Sequence, residues 1–225
     1  TVDFLLEQKP RKGLRISVLP DLTVDVSAPE SAKVDDIIAR VRKRAPWILR
    51  QIEYFKSFFP KQPARKYING ESHYFLGRHY RLKITKGSRS EVKLKGKYLN
   101  VALTKKPTST LVKRLVYEWY SVRAEMYYEV AVRKAHEKLR KHGITTPKIV
   151  VKTMTSRWGS CLREKNKIIL NTELIKAPGY CIDYVITHEL CHLKYTNHTP
   201  SFYNFLGAVM PDWKNRKERL EKVIL

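Results

Sequence analysis

The chain contains few cysteines and lacks any long apolar run. Its three cysteines, Cys161, Cys181 and Cys191, form no CxxC pair among 225 residues, and an odd number argues against a disulfide framework. No stretch approaches the roughly 20 apolar residues of a membrane-spanning helix. Residues 1–6 also lack the basic region and long apolar core of a signal peptide. These absences predict a cytoplasmic protein in a reducing compartment, with no membrane partner.

Acidic residues are also scarce. The chain has 21 Asp and Glu against 45 Lys and Arg, which gives a formal net charge of +24. Charge of this size attracts polyanions, so nucleic acid is a candidate partner through the basic surface. The basic residues are nevertheless spread along the chain, and no RRM, KH or zinc-finger signature accompanies them. Two interpretations stay open: contact with nucleic acid, and charged faces that are merely solvated.

Residues 187–198, with the sequence THELCHLKYTNH, carry the strongest chemical pattern of the chain. On a helix, His188 and His192 project from the same face about one turn apart, so both can reach one metal ion. Glu189 lies about 100° round the helix from His188. This offset keeps its carboxylate out of the ligand set but near a metal-bound water, where a general base is useful. The pattern predicts a zinc-dependent hydrolase.

A third ligand is expected, because catalytic zinc usually has three protein ligands and one open position. His198 is the candidate. If the helix continued, His198 would lie about 240° from His192 and face away from the metal, so the helix must end first. Asn197 is suited to a left-handed C-terminal conformation, and Thr199 and Pro200 suit the N-cap and first position of a new helix. His198 is therefore expected in the bend between two helices.

Other interpretations of these residues stay open. His188 and His192 are also compatible with hydrogen-bonded histidines of a core, and bound zinc is compatible with a structural site, although such sites usually have four ligands, often cysteines. Cys191 has a spacing from His188 that does not exclude the metal, but a small buried packing residue is the favoured interpretation. Met210 fits the end of an apolar helix better than a Met-turn.

The segment before this motif predicts a β-hairpin. Residues 154–161, MTSRWGSC, and residues 167–171, KIILN, are extended segments around a charged turn. Gly159 in the first segment indicates a bulge or a close backbone approach. Arg157 is either a surface ion-pair partner or a group that contacts substrate, and Trp158 fits a packing anchor better than a substrate platform.

Together these motifs resemble the YgjP-like metallopeptidases, which are relatives of the SprT-like and other zincin proteins. The resemblance rests on SRWGSC at 156–161, YVITHELCH at 184–192, NHTPSF at 197–202 and MPDW at 210–213. It covers most of residues 145–225. It is looser over the first hundred residues, where it rests on a basic β-rich start and the segment YFLGR at 74–78.

The resemblance implies a set of site residues. His188, His192 and His198 are the implied ligands of one Zn²⁺ ion, and Glu189 is the implied base. In zincins, a strand before the active-site helix commonly forms an edge along which an extended substrate peptide pairs. The resemblance therefore implies substrate contacts from the strand region that contains Arg157, Trp158, Gly159 and Ser160.

The expected fold class is α+β, with two regions. A β-rich basic N-terminal region is expected at 1–106, with a helical segment near 32–59, and a zincin-like metallopeptidase domain at 107–225. In the catalytic domain the active-site helix is expected to pack under a small β-sheet.

Two elements in these regions are predicted in more detail. Alternating residues around the turn LPDL at 19–22 predict a hairpin. Thr108 or Ser109 is expected to cap a long amphipathic helix that ends near Gly143. His136 is predicted on the surface of that helix.

Three functions are consistent with the sequence. The first is a zinc-dependent metallopeptidase that hydrolyses peptide bonds of a peptide or protein through a metal-bound water activated by Glu189. The second is a DNA-associated, SprT-like protease that acts on nucleic-acid-bound proteins. The third is a non-catalytic binding module that zinc only stabilises.

Overall fold

A computed structural model describes residues 2–19, 22–56, 65–155 and 157–224. The predicted turn residues Pro20 and Asp21, the predicted helix end at 57–59 and Ser156 of the SRWGSC motif lie outside these ranges. The described part contains five helices and three small sheets, so the α+β class is confirmed. The chain divides into two compact units, Thr1–Pro63 and Ala64–Ile224.

The first unit has a three-stranded sheet and one helix. Strands β1 (Leu5–Gln8), β2 (Arg15–Val18) and β3 (Val24–Ala28) have the order β1-β3-β2. β2 and β3 form the predicted antiparallel hairpin, while β1 pairs in parallel with β3. Helix α1 (Val34–Lys56) continues through Pro46. Alternate residues of β3 and one stripe of α1 form the core of this unit: Val24, Val26, Ala28, Ile37, Val41 and Ile48.

The second unit begins with a four-stranded sheet. Its strands are β4 (Ser72–Phe75), β5 (Arg78–Lys86), β6 (Glu91–Lys95) and β7 (Tyr98–Leu103), in the order β4-β5-β7-β6. β5 and β7 are parallel, and the other two pairings are antiparallel. Alternate residues point into the core beside helix α2 (Ser109–Leu139). These inward residues include Tyr80, Leu82, Ile84, Val92, Leu94, Leu99, Val101 and Leu103.

Helix α2 has the predicted ends. The Thr108 hydroxyl accepts a hydrogen bond from the Leu111 amide at 3.3 Å, and Gly143 takes a left-handed conformation with φ 77° after a short 3₁₀ turn. The surface position predicted for His136 is wrong. Its side chain is buried, and its Nε2 lies 2.7 Å from the Ile144 carbonyl oxygen, because the chain after α2 folds back over this side of the helix.

A second sheet of this unit contains the predicted hairpin. Strands β9 (Gly159–Leu162) and β10 (Lys167–Asn171) pair antiparallel, and Asn166 takes φ 41° in the turn before β10. The first strand is shorter than predicted. Strand β8 (Lys148–Lys152) pairs in parallel with β10, so the order is β8-β10-β9 and β9 lies at an edge.

Three helices follow this sheet: α3 (Gly179–Cys191), α4 (Pro200–Val209) and α5 (Trp213–Ile224). Helix α3 contacts α2, α5, β9 and β10, and most of its side chains are buried. Gly77, in the β4–β5 turn, packs closely against Pro178, the residue before α3. A Cβ at Gly77 would lie 2.8–3.1 Å from Pro178 atoms, so a larger residue would disturb the start of the helix. Among the described helices, none has the combination of length and apolar character that spanning a bilayer requires.

The sequence expectation placed a region boundary at residue 106. In the structure, β4–β7 share one hydrophobic core with α2 and with the sheet β8-β10-β9, and the division between compact units falls at residues 63 and 64. The strands preceding α2 thus belong to the same compact unit as α3.

Candidate active site

Three imidazole rings converge beside the end of α3. His188 lies in the last turn of the helix, His192 directly follows it, and His198 precedes α4. The Nε2 atoms are 3.2 Å apart for His188 and His192, 3.1 Å for His192 and His198, and 2.9 Å for His198 and His188. The three candidate ligands of the sequence analysis are thus brought together at one point.

The chain turns back for His198 by a route that differs from the predicted one. The Tyr195 amide donates to the Cys191 carbonyl at 2.9 Å, which closes the end of α3. Asn197, a described residue, has no positive φ, so the predicted left-handed termination there is wrong. The helix ends earlier, at Cys191, in a turn that uses right-handed geometry at His192. Thr199 is the N-cap residue of α4, as predicted.

Two polar contacts orient this bend. His192 Nδ1 lies 2.9 Å from the Tyr195 carbonyl oxygen, a contact that directs Nε2 of the same ring towards the other two histidines. The Arg163 guanidinium donates to the Thr196 hydroxyl at 3.0 Å. This second bond ties the loop that carries His198 to the turn after β9.

Phe202 forms the floor under the three rings. Its side chain is fully buried, and its ring centroid lies 5.0 Å from that of His188, 4.6 Å from that of His192 and 4.9 Å from that of His198. The sequence analysis gave Phe202 no role. Phe202 lies on the first turn of α4, four residues after His198. This spacing could have predicted the contact, because residues four apart lie close in space when a helix begins between them.

The arrangement fits a bound zinc ion. Nitrogens about 2.0–2.1 Å from a tetrahedral zinc lie about 3.3 Å apart, close to the observed separations of 2.9–3.2 Å. Burial and the two neighbouring histidines lower the pKa of His188 to about 3, which favours the neutral ring that a metal requires. Within the described ranges, the histidine triad is the one group of three or more His, Cys, Asp or Glu residues close enough to share an ion. Three ligands are the number typical of a catalytic rather than a structural zinc site.

Cys191 lies outside this group. Its side chain is fully buried in the hydrophobic core, and burial raises the pKa of its thiol to about 12. Both observations agree with the packing interpretation of this residue, because the thiolate is the form that binds metals.

Glu189 is a buried carboxylate next to the triad. Its side chain is only 7% exposed, and burial raises its pKa to about 8, opposed by the charge of Arg157. A Cβ added at Gly159 would lie 2.6 Å from Glu189 Cγ and Oε1. The predicted close backbone approach at Gly159 is therefore observed, and the approaching group is the Glu189 side chain.

Asn171, at the end of β10, forms hydrogen bonds with residues that precede Gly159 in the sequence. Its side-chain amide donates to the carbonyl oxygens of Met154 at 2.8 Å and Arg157 at 2.9 Å, and its backbone amide donates to the Trp158 carbonyl at 2.9 Å. Tyr128 on α2 donates its hydroxyl to the Asn171 carbonyl. Sequence reasoning missed this anchoring role, because Met154, Arg157 and Trp158 lie outside helices and strands.

The triad and Glu189 lie in a cleft of about 510 Å³. All four predicted substrate-binding residues line it: Arg157, Trp158, Gly159 and Ser160. Helix α5 adds Lys217, Leu220 and Glu221, which the sequence analysis did not connect with the site. No local motif marks them, because they reach the cleft only through the tertiary packing of α5 on α3.

The cleft of this α+β domain combines two histidines of an HExxH helix, a third histidine after a bend and a buried glutamate. This combination is typical of a zincin-type metallopeptidase site. The chain belongs to the family described as "YgjP-like, metallopeptidase domain", whose model matches residues 12–223. The resemblance drawn from the sequence motifs is confirmed, and it extends over nearly the whole chain. Comparison with curated proteins gives no match.

Proposed function

We propose that the protein is a zinc-dependent peptidase in which His188, His192 and His198 hold one zinc ion and Glu189 is the general base. The observation that carries the proposal is the triangle of Nε2 atoms, 2.9–3.2 Å on a side, next to a buried carboxylate. Membership in a metallopeptidase family supports the class of reaction and implies a metal.

The residues divide the chemistry among them. The three imidazoles would hold the zinc ion, which when bound would supply Lewis-acid polarisation of the scissile carbonyl and a more acidic water. A Glu189 carboxylate oxygen accepts the proton of the attacking water and returns it to the nitrogen of the leaving amine. The bond between carbonyl carbon and nitrogen breaks, and water is added across the peptide bond. Burial raises the pKa of Glu189, so its carboxylate, once ionised, holds a proton more strongly than an exposed one does.

Strand β9 is the proposed binding edge for the substrate main chain. Among the described strands β9 pairs with β10 only, and its residues Gly159, Ser160 and Cys161 line the cleft. An extended peptide added to such an edge gains main-chain hydrogen bonds, which do not depend on side-chain identity. This mode gives broad sequence tolerance. Arg157 and Trp158, which precede the strand and line the same cleft, are proposed to contact substrate side chains.

Metal removal tests the reaction class. Peptide hydrolysis by the full chain, measured with a mixed fluorogenic peptide library, is expected to disappear after exhaustive chelation and to return with one equivalent of zinc per chain. Metal content is measured on the same samples. Unchanged hydrolysis by metal-free protein is incompatible with the proposal.

The Gly159→Ala variant tests the placement of Glu189. The new methyl group needs the space of the Glu189 side chain, so the carboxylate must shift. A displacement of about 1 Å in a catalytic group costs roughly 10²-fold in rate. We expect kcat to fall by about that factor while zinc content is retained.

Gly13→Ala is the matched control, because a Cβ at Gly13 meets no atom within 4 Å. It should leave kcat and zinc content unchanged. If Gly159→Ala kept full activity, the close approach to Glu189 would have no functional meaning.

The non-catalytic module is the second candidate, and it makes opposite predictions. A structural ion would stabilise the fold against heat without any peptide hydrolysis by the zinc-loaded chain. The number of ligands argues against it, since structural zinc is almost always bound by four protein groups, whereas the group formed within the described ranges has three.

A further inference from the structure

The outer face of the sheet β4-β5-β7-β6 has an unusual composition. Residues that alternate with the buried ones point away from the core on each strand. We call this surface the outer sheet face and define it by its cationic and aromatic residues: Tyr74, Arg81, Lys83, Lys93, Lys95 and Tyr98. The four cations are exposed, and the two tyrosines are half-buried.

Positive charge on this face is almost unopposed. Residues 72–106 contain ten Lys and Arg and a single acidic residue, Glu91. Glu91 pairs with Lys93 at 2.8 Å and with Arg89 at 2.9 Å. Within the described ranges, Arg81, Lys83 and Lys95 have no ion-pair partner. Exposed pairs such as Lys93–Glu91 are weak and do not prevent the lysine from binding another anion.

The strand register arranges these residues in two rows. Arg81, Tyr98 and Lys95 lie opposite one another on β5, β7 and β6. Lys83, Asn100 and Lys93 form the next row. Neighbouring strands are about 4.8 Å apart, so Tyr98 has a cationic side chain on each side.

The lysines also approach the Tyr98 ring. Lys83 Nζ lies 5.5 Å from the ring centroid, and Lys97 Nζ, in the β6–β7 turn, lies 5.8 Å from it. An aromatic ring flanked by ammonium groups offers two kinds of contact at one place: a π-face and several phosphate-binding groups.

We propose that the outer sheet face binds single-stranded nucleic acid, with backbone phosphates on Arg81, Lys83, Lys93 and Lys95 and a base stacked on Tyr98. A sheet face with a ring and flanking cations suits unstacked bases, whereas duplex readout requires an element that enters a groove. An acidic peptide would use the cations but gain nothing from stacking on Tyr98. The site lies outside the histidine triad and does not depend on the peptidase assignment.

Binding by the full chain is measured by fluorescence anisotropy with labelled 12-nucleotide single-stranded RNA and DNA of mixed sequence. For about four phosphate contacts, log affinity should fall against log salt with a slope of about −2.8, which is roughly fifty-fold between 50 and 200 mM. A labelled duplex of the same sequence and a poly-glutamate peptide of the same charge are measured in parallel. Both should bind more weakly than the single strand.

Two variants locate the site. The triple variant Lys83→Ala, Lys93→Ala and Lys95→Ala should weaken binding at least tenfold and reduce the steepness of the salt slope by about 2. Tyr98→Leu should weaken binding about fivefold or more without changing the slope, because stacking is lost and charge is not. Circular dichroism confirms that each variant is folded.

The control has the same change in net charge: Lys134→Ala, Lys138→Ala and Lys141→Ala, which are exposed residues in the C-terminal part of α2 and the 3₁₀ turn after it. It should alter affinity less than threefold. Equal losses in both triple variants, an unchanged affinity in Tyr98→Leu, or binding of duplex or poly-glutamate as tight as single strand would each overturn the proposal.

Discussion

Replacement of Glu189 by Gln is expected to lower kcat for peptide hydrolysis by about 10²–10⁴-fold, the usual contribution of a general base. The amide cannot accept the proton of the attacking water. Its size matches that of the carboxylate, so the contact with Gly159 and the burial are preserved. Steady-state hydrolysis by zinc-loaded protein measures the effect.

Zinc content separates this result from a loss of the site. The Glu189→Gln variant should keep one zinc per chain, because residue 189 is outside the group of potential ligands. Glu137→Gln, an exposed carboxylate on α2, is the control and should keep full activity. Retention of wild-type kcat in Glu189→Gln would show that another group transfers the proton.

Replacement of His198 by Ala is expected to have the largest effect on metal binding without unfolding the chain. His198 is exposed and follows the end of α3, so its truncation removes little packing. It takes away one of the three proposed zinc ligands. Since partners that only orient a ligand contribute about 10–100-fold to metal affinity, the loss of the ligand itself should exceed about a hundredfold. Hydrolysis at limiting zinc should fall to background.

Competition with a zinc-binding dye gives the affinity, and thermal unfolding of the metal-free proteins checks the fold. Asn197→Ala, in the same exposed loop, should match the wild type in both measurements. A His198→Ala variant that binds zinc with unchanged affinity would mean that another group completes the site.

The convergence of the candidate site residues was predictable because it rests on local geometry. The spacing of His188 and His192 fixes their common helix face, and Pro200 fixes the start of α4, so His198 has to lie in the bend. Capping signals at Thr108 and Gly143 likewise predicted the ends of α2. Each of these inferences needs only residues within about ten positions of one another.

What could not be predicted depends on contacts between distant parts of the chain. The parallel pairings of β1 with β3 and of β8 with β10 leave no local signature. The burial of His136 depends on the segment that returns after α2. The end of α3 at Cys191 is set by backbone bonds in a tight turn, which residue preference at Asn197 did not indicate.

The outer sheet face illustrates the same limit for function. Its cations and Tyr98 come from three strands, and only the register places them in rows. In the sequence they are indistinguishable from the other basic residues that make up the net charge of +24. The sheet brings basic residues that are separated in the sequence onto one surface, for which a ligand can be proposed and tested.

X-ray absorption at the zinc edge of the loaded full-length chain tests the account most directly. We predict one zinc with three imidazole nitrogens at about 2.0–2.1 Å and one light oxygen ligand, and no sulfur at about 2.3 Å. The His198→Ala variant should lose one imidazole contribution. A sulfur ligand, four protein ligands, or an unchanged spectrum in His198→Ala would contradict the three-histidine open site on which the proposed peptidase depends.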